Sequence, residues 1–218
     1  FLTVNNQIEI TNGLLLSTGF TWQKRKALEN TVNRSLFKKE AKSNLPRHPG
    51  YVPMPRNEIL KASVILEYTP PRYYWMFQGR KMYESSDFPS LTFKYERAFP
   101  HGSDQTLSPA FHLTEFSARQ EIEFGLFNRL NWFVNAGAFW DTENIQFPDY
   151  KHFTTTRIPV TEHSLDQSFA LADNYIYSTH TRWAQANVSW YTPYLFVKHL
   201  PFLKNKRFDE ALHLRSLI

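Results

Sequence analysis

The chain alternates apolar and polar residues over runs of ten or more, and this period of two constrains its fold more than any other feature. Leu2, Val4, Ile8 and Ile10 share one parity, with Asn6 the exception, while Thr3, Asn5, Gln7, Glu9 and Thr11 share the other. Successive side chains of a strand point to opposite sides of a sheet, so this spacing builds a two-faced strand rather than a helix. Asn12-Gly13 follows, a pair that readily takes the positive φ of a two-residue hairpin turn. Beyond it, Leu14, Leu16, Thr18, Phe20 and Trp22 alternate with Leu15, Ser17, Gly19, Thr21 and Gln23.

The pattern recurs along the chain. Leu60, Ala62, Val64, Leu66 and Tyr68 form one face of a strand that Pro70-Pro71 should end, because proline cannot donate to a ladder. "RYYWMFQ" (72–78) then reads as the start of the return strand. Further alternating runs lie at 91–96, about 109–124, 130–140 and 183–190, with a turn at 125–129 and a last strand from about Phe208. This makes roughly eight to nine strands, several of ten or more residues. Soluble strands usually have about five or six residues, whereas a tilted membrane strand needs about 9–11. No apolar run approaches the roughly 20 residues of a membrane helix, but alternating barrel strands average out as polar and escape that criterion.

The two parities differ in chemistry. The apolar faces carry small residues (Ala62, Ala136, Ala138, Ala184, Ala186) and large ones, and the polar faces carry Asn, Gln, Ser, Thr, Glu and Lys. Trp22, Tyr68, Trp75, Trp140, Trp190 and Tyr191 gather at expected strand ends, where amphipathic rings favour a membrane–water interface. Short connections at 12–13, 70–71 and 125–129 contrast with long ones at about 27–56 and 141–178, as in outer-membrane barrels. The stretch 79–108 holds two connections, which leaves the strand parity there open. Residues 193–206, "PYLFVKHLPFLKNK", fit a short interfacial turn or helix, or a packed connector. The competing architecture is a soluble sandwich with the aromatics in its core.

Composition removes several chemistries. With no cysteine there is no disulfide, thiolate metal site or thiol nucleophile. The net charge of +5 is spread along the chain apart from 23–26, 37–42 and 203–207, and implies no nucleic-acid partner. Eight histidines are scattered without an HExxH pair, and there is no GxSxG, so neither a metal, a cofactor nor a catalytic residue is assigned. "FPDYKHF" (147–153) is the densest cluster, with Asp149 three residues from His152 and with His163 further on. Its expected role is anchorage: Phe147, Tyr150, His152 and Phe153 pack a loop, and Asp149 and Lys151 bridge to charges such as Arg119 or Glu121. A buried carboxylate without a partner costs several kcal/mol, so Asp149 should have a basic or N–H partner.

"FGLFNRLNWFVNAGAFWD" (124–141), "FPDYKHF", "SFALADNYIYST" (168–179) and "FVKHLPFLKNKRFDEALHL" (196–214) together resemble a family of outer-membrane β-barrel proteins from Bacteroidota. "EITNGLLLS" (9–17) and "DFPSLTFKYERAF" (87–99) are similar too. Members of that family typically carry an N-terminal carboxypeptidase-regulatory-like domain. The family is itself similar to the surface-antigen barrels that assemble or translocate outer-membrane proteins, in which a long loop folds into the lumen. By position, 141–178 is that loop, although the superfamily's Val-Arg-Gly-Phe-like tip is missing and only Arg157 stands near.

The resemblance implies an antiparallel transmembrane barrel domain over 1–218, an internal window of a barrel of about sixteen strands. It also implies the outer membrane of a Gram-negative bacterium, with lipid, lipopolysaccharide and other envelope proteins as partners. The expected function is non-enzymatic, in outer-membrane protein assembly, insertion or export. The alternatives are a barrel enzyme acting on lipid and a soluble β-sandwich binding module.

Overall fold

The computed structural model describes residues 1–27, 48, 51–70, 73–84, 86–102, 107–156, 168–193, 195–196, 199–202 and 210–218. The charge runs 37–42 and 203–207, Arg157, His163 and Phe208 lie outside them. Among the described residues twelve strands follow in chain order: β1 (Leu2–Thr11), β2 (Leu14–Arg25), β3 (Asn57–Tyr68), β4 (Tyr74–Phe77), β5 (Arg80–Tyr83), β6 (Ser90–His101), β7 (Ala110–Phe124), β8 (Asn128–Glu143), β9 (Thr155–Thr156), β10 (Phe169–Ala170), β11 (Arg182–Thr192) and β12 (Glu210–Leu217). Eight of them form one antiparallel sheet in the order β1-β2-β3-β6-β7-β8-β11-β12. The protein is thus all-β, and β1 and β12 are the sheet's two edges rather than neighbours.

Register preserves the alternation across the whole sheet. Leu2 faces Trp22, Trp22 faces Leu60 and Leu60 faces Phe99, while Phe93 faces Phe116, Phe116 faces Ala136 and Ala136 faces Ala184. One face is therefore largely apolar from edge to edge, interrupted by Arg97, which faces Ala62 on one side and His112 on the other. The opposite face carries Arg25, Lys61, Lys94, Glu96, Glu115, Asn135, Gln185, Asn187 and Ser189. The exposures run opposite to those of a soluble sheet. Phe116 is 47% and Val188 37% exposed, whereas Asn135 is 4% and Ser189 2% exposed.

Around Arg25, Lys61, Glu115 and Trp183 the polar face is covered by residues 144–156 of the chain between β8 and β11. A small core forms there, joining Ile59, Ala98, Phe111, Leu113, Phe139 and Trp183 to Phe153 of the crossing segment. Gly137 makes room for it. A Cβ there would lie 2.3 Å from Cζ2 of Trp183, so only glycine lets the indole lie flat on β8.

Several sequence expectations change. "RYYWMFQ" does not begin a return strand of the sheet. Tyr74–Phe77 pairs with Arg80–Tyr83 as a separate hairpin, turned by Gln78 and Gly79 at φ 48° and 76°. This removes the parity problem. The chain leaves and re-enters the sheet at one end between β1 and β2, β3 and β6, β7 and β8, and β11 and β12, and at the other end between β2 and β3, β6 and β7, and β8 and β11. The last long connection starts at 144 rather than 141, because β8 runs on to Glu143. In 193–206 the described residues include a turn closed by His199 N–H donating to the Phe196 carbonyl at 3.1 Å.

Candidate functional site: a segment clamped to the polar face

The crossing segment is organised by a short 3-10 turn, Phe147–Asp149. Pro148 suits its opening because proline's fixed φ matches the turn and its missing N–H is not needed there. The turn presents Asp149 to the sheet with its side chain fully buried. Arg25 of β2 grips it with both arms: Nη1 donates to Oδ1 and Nη2 to Oδ2, each at 2.9 Å. Lys61 of β3 adds a third contact, Nζ to Oδ1 at 2.8 Å. Asn57 fixes the guanidinium from behind by accepting from its Nε at 3.0 Å. Asp149 thus has basic partners, but they are Arg25 and Lys61. Arg119 instead approaches Glu67 and Glu121 approaches Arg129.

The charges continue along the sheet. Lys61 also reaches Glu96 at 3.5 Å, and Glu96 meets Lys94 at 3.1 Å. Lys151 pairs with Glu115 of β7, which also accepts from Asn135 Nδ2 at 2.8 Å. Asn135 in turn accepts from the Trp183 indole N–H at 2.6 Å. In a region sheltered from water, such linked and charge-assisted bonds fix one arrangement.

The rings of "FPDYKHF" fill the space around this clamp. Phe147 is the hub, within 6 Å of His48, Tyr51, Tyr150, His152 and Tyr175. Phe153 packs edge-on to Phe169 and Trp183, and Tyr150 lies 4.6 Å from His180. Lys151 and Thr179 exchange backbone hydrogen bonds at 2.8 and 3.0 Å, closing the segment into a loop. His152 Nδ1 lies 2.7 Å from Ser178 Oγ. Burial pushes the His152 pKa down, against smaller opposing effects of the Phe147 backbone and Asp149. This places a serine beside a neutral histidine, but Asp149 is committed to Arg25 and Lys61 and does not orient the ring.

Of the six interface candidates, Trp22, Tyr68, Trp140 and Trp190 lie on the apolar face, two toward each end of the sheet. Tyr191 is on the other parity and faces the polar side, with the Arg129 guanidinium 4.7 Å over its ring. Trp75 belongs to the β4–β5 hairpin. Sequence reasoning missed Arg25 and Lys61 as the clamp's other half. Their only signal was parity: both are cations on the polar face of their strands.

An all-β domain with one long antiparallel sheet and a segment clamped over its polar face defines the class of protein. The chain belongs to the family of unknown function DUF5686, whose C-terminal domain matches residues 1–218. No curated protein and no solved structure matches it.

Proposed function

We propose that this domain is part of the wall of an outer-membrane β-barrel, with the apolar face toward lipid and the polar face toward a lumen that residues 144–156 and 168–181 plug. The carrying observation is the inverted exposure: a largely apolar face in the open, with Arg97 and His112 as its charged and titratable exceptions, and buried Asn, Gln and Ser on the other side. The dimensions agree. Trp22 lies eight residues above the Leu14 row, and Trp140 ten above the Leu130–Trp190 row. At about 3.3 Å per residue these spans are roughly 26 and 33 Å, which a barrel tilt of about 40° reduces to roughly 20–25 Å. The apolar band of such barrels is about 25 Å tall between aromatic girdles. In lipid the free edges of β1 and β12 require strand partners, as in a barrel with more strands than these eight.

The working part in this reading is the plug, and the role is non-enzymatic. Its carboxylate clamp is a fastening that an export or insertion function would have to open. Because the chain has no cysteine, single cysteines report cleanly on each face. Spin labels at Phe116→Cys, Val134→Cys and Val188→Cys, in the whole protein in lipid vesicles, are expected to be relaxed by oxygen and shielded from a water-soluble nickel chelate. Labels at Ser117→Cys and Asn131→Cys should lack that lipid signature. Equal access of the nickel chelate to both sets would reject the wall.

A further inference from the structure

A second arrangement of charge lies outside the clamp, on the apolar face at the end where Trp22 and Trp140 sit. Three strands there carry one row of Trp22, Leu60 and Phe99. The next row of the same parity is Lys24, Glu58 and His101. On β2 and β3 the surface passes from apolar to charged in that single step, about 7 Å along the strands, while on β6 Arg97 already stands one row inside, opposite Ala62 and His112. Lys24 Nζ lies 5.5 Å over the Trp22 ring, and the Arg97 guanidinium lies 4.7 Å over Phe99. Both charged heads stand over aromatic rings of the boundary row.

Above the boundary a cleft of about 540 Å³ opens, lined by Lys24, Lys26, Arg56, Glu58, His101 and Gly102, with Arg25 and Asn57 at its inner wall. Gly102 shapes it. Its φ is +102°, and a Cβ there would stand 3.1 Å from the Glu58 side chain, so glycine lets Glu58 lie against the wall. Glu58 is engaged by Lys24 at 2.8 Å. Lys26 and Arg56 are exposed and have no partner among the described residues. The cleft therefore holds more cation than its own carboxylate neutralises, directly above an apolar band.

We propose that this cleft binds the phosphorylated headgroup of a membrane lipid whose acyl chains lie on Trp22, Leu60 and Phe99. The proposal rests on the membrane-wall reading. It commits to a lipid because the surplus charge is joined to the apolar face, whereas a site for a soluble anion has no need of that continuity. Arg56, with its planar donor fork, and Lys26 supply the phosphate contacts. Glu58 opposes them and limits the affinity.

The test is retention of lipid by the detergent-purified whole protein, read by native mass spectrometry. Bis-phosphorylated lipid A is expected to be retained about tenfold more than its dephosphorylated form, the size of one or two charge-assisted contacts. The Lys26→Gln/Arg56→Gln pair should erase that preference. Glu58→Gln should strengthen retention, a gain that a misfolded variant cannot produce. Equal retention of the two lipids would overturn the headgroup site while leaving the wall intact. Displacement of the lipid by an equal concentration of inorganic phosphate would show a soluble-anion site and likewise overturn it. Retention of neither lipid, together with a failed spin-label alternation, would overturn both readings.

Discussion

Two pieces of chain leave the sheet and return to it through ion pairs, and they do so in opposite ways. The 144–181 segment buries Asp149 between Arg25 and Lys61, and five rings surround Phe147. The β4–β5 hairpin touches β1 through Lys81 and Glu9 at 2.8 Å, in the open, with Trp75, Met76 and Phe77 about half exposed. The distances are nearly equal, so geometry does not separate the two. Surroundings do. Water screens the Lys81–Glu9 pair, and such surface pairs contribute little. The carboxylate of Asp149 has no water to return to, so losing its partners, or leaving them without it, is far more damaging.

The largest expected effect comes from breaking the buried side. Asp149→Ala leaves Arg25 without its carboxylate and Lys61 with only Glu96, and should weaken the closed segment by about 3–5 kcal/mol. Amide hydrogen exchange of 147–153 should then rise steeply while β7 and β8 stay protected. Unchanged protection would mean that the rings alone hold the segment.

A smaller effect is expected from acid. Burial holds the His152 pKa below its ordinary value of about 6.5, so the packed segment refuses a proton that the released segment accepts. Nothing changes above about pH 6.5, and protection should fall progressively as pH drops below that point. His48 adds repulsion on the same side, and Asp149 partly offsets it. A His152→Phe variant should flatten this slope, and a slope that survives it would assign the titration to another group.

The smallest effect is expected on the open side. The Glu9 hydrogen bond raises the Lys81 pKa, so the pair is fully formed at neutral pH. Even so, Lys81→Ala should loosen only the hairpin, leaving exchange in 147–153 and in the sheet unchanged. Loosening of the segment would show that the two regions are coupled.

The sheet was legible because its signal is local. Each long strand declares itself through ten or more alternating residues, and Asn12-Gly13 marks its hairpin with a favoured turn pair in which Gly13 takes φ 81°. The β4–β5 hairpin was harder, since Gln78-Gly79 is a weaker turn pair and "YYWMF" has no alternation to set its faces. The need of Asp149 for a partner followed from the energetics of buried charge, but the partners did not. Arg25 lies 124 positions away, and only the sheet order brings β2 and β3 beneath the 3-10 turn. Tyr191 shows the limit of grouping aromatics by position alone, because one step from Trp190 reverses its face.

The clamp can also be seen as a mechanical element. Through Asp149, Lys151 and Phe153, one short segment is tied to β2, β3, β7 and β11, which stand second, third, fifth and seventh across the sheet. It spans the wall like a crossbar bolted at several posts. Any change in the spacing or curl of those strands must stretch the crossbar or shear a bolt. A pull on the segment is likewise delivered to the width of the wall rather than to one loop.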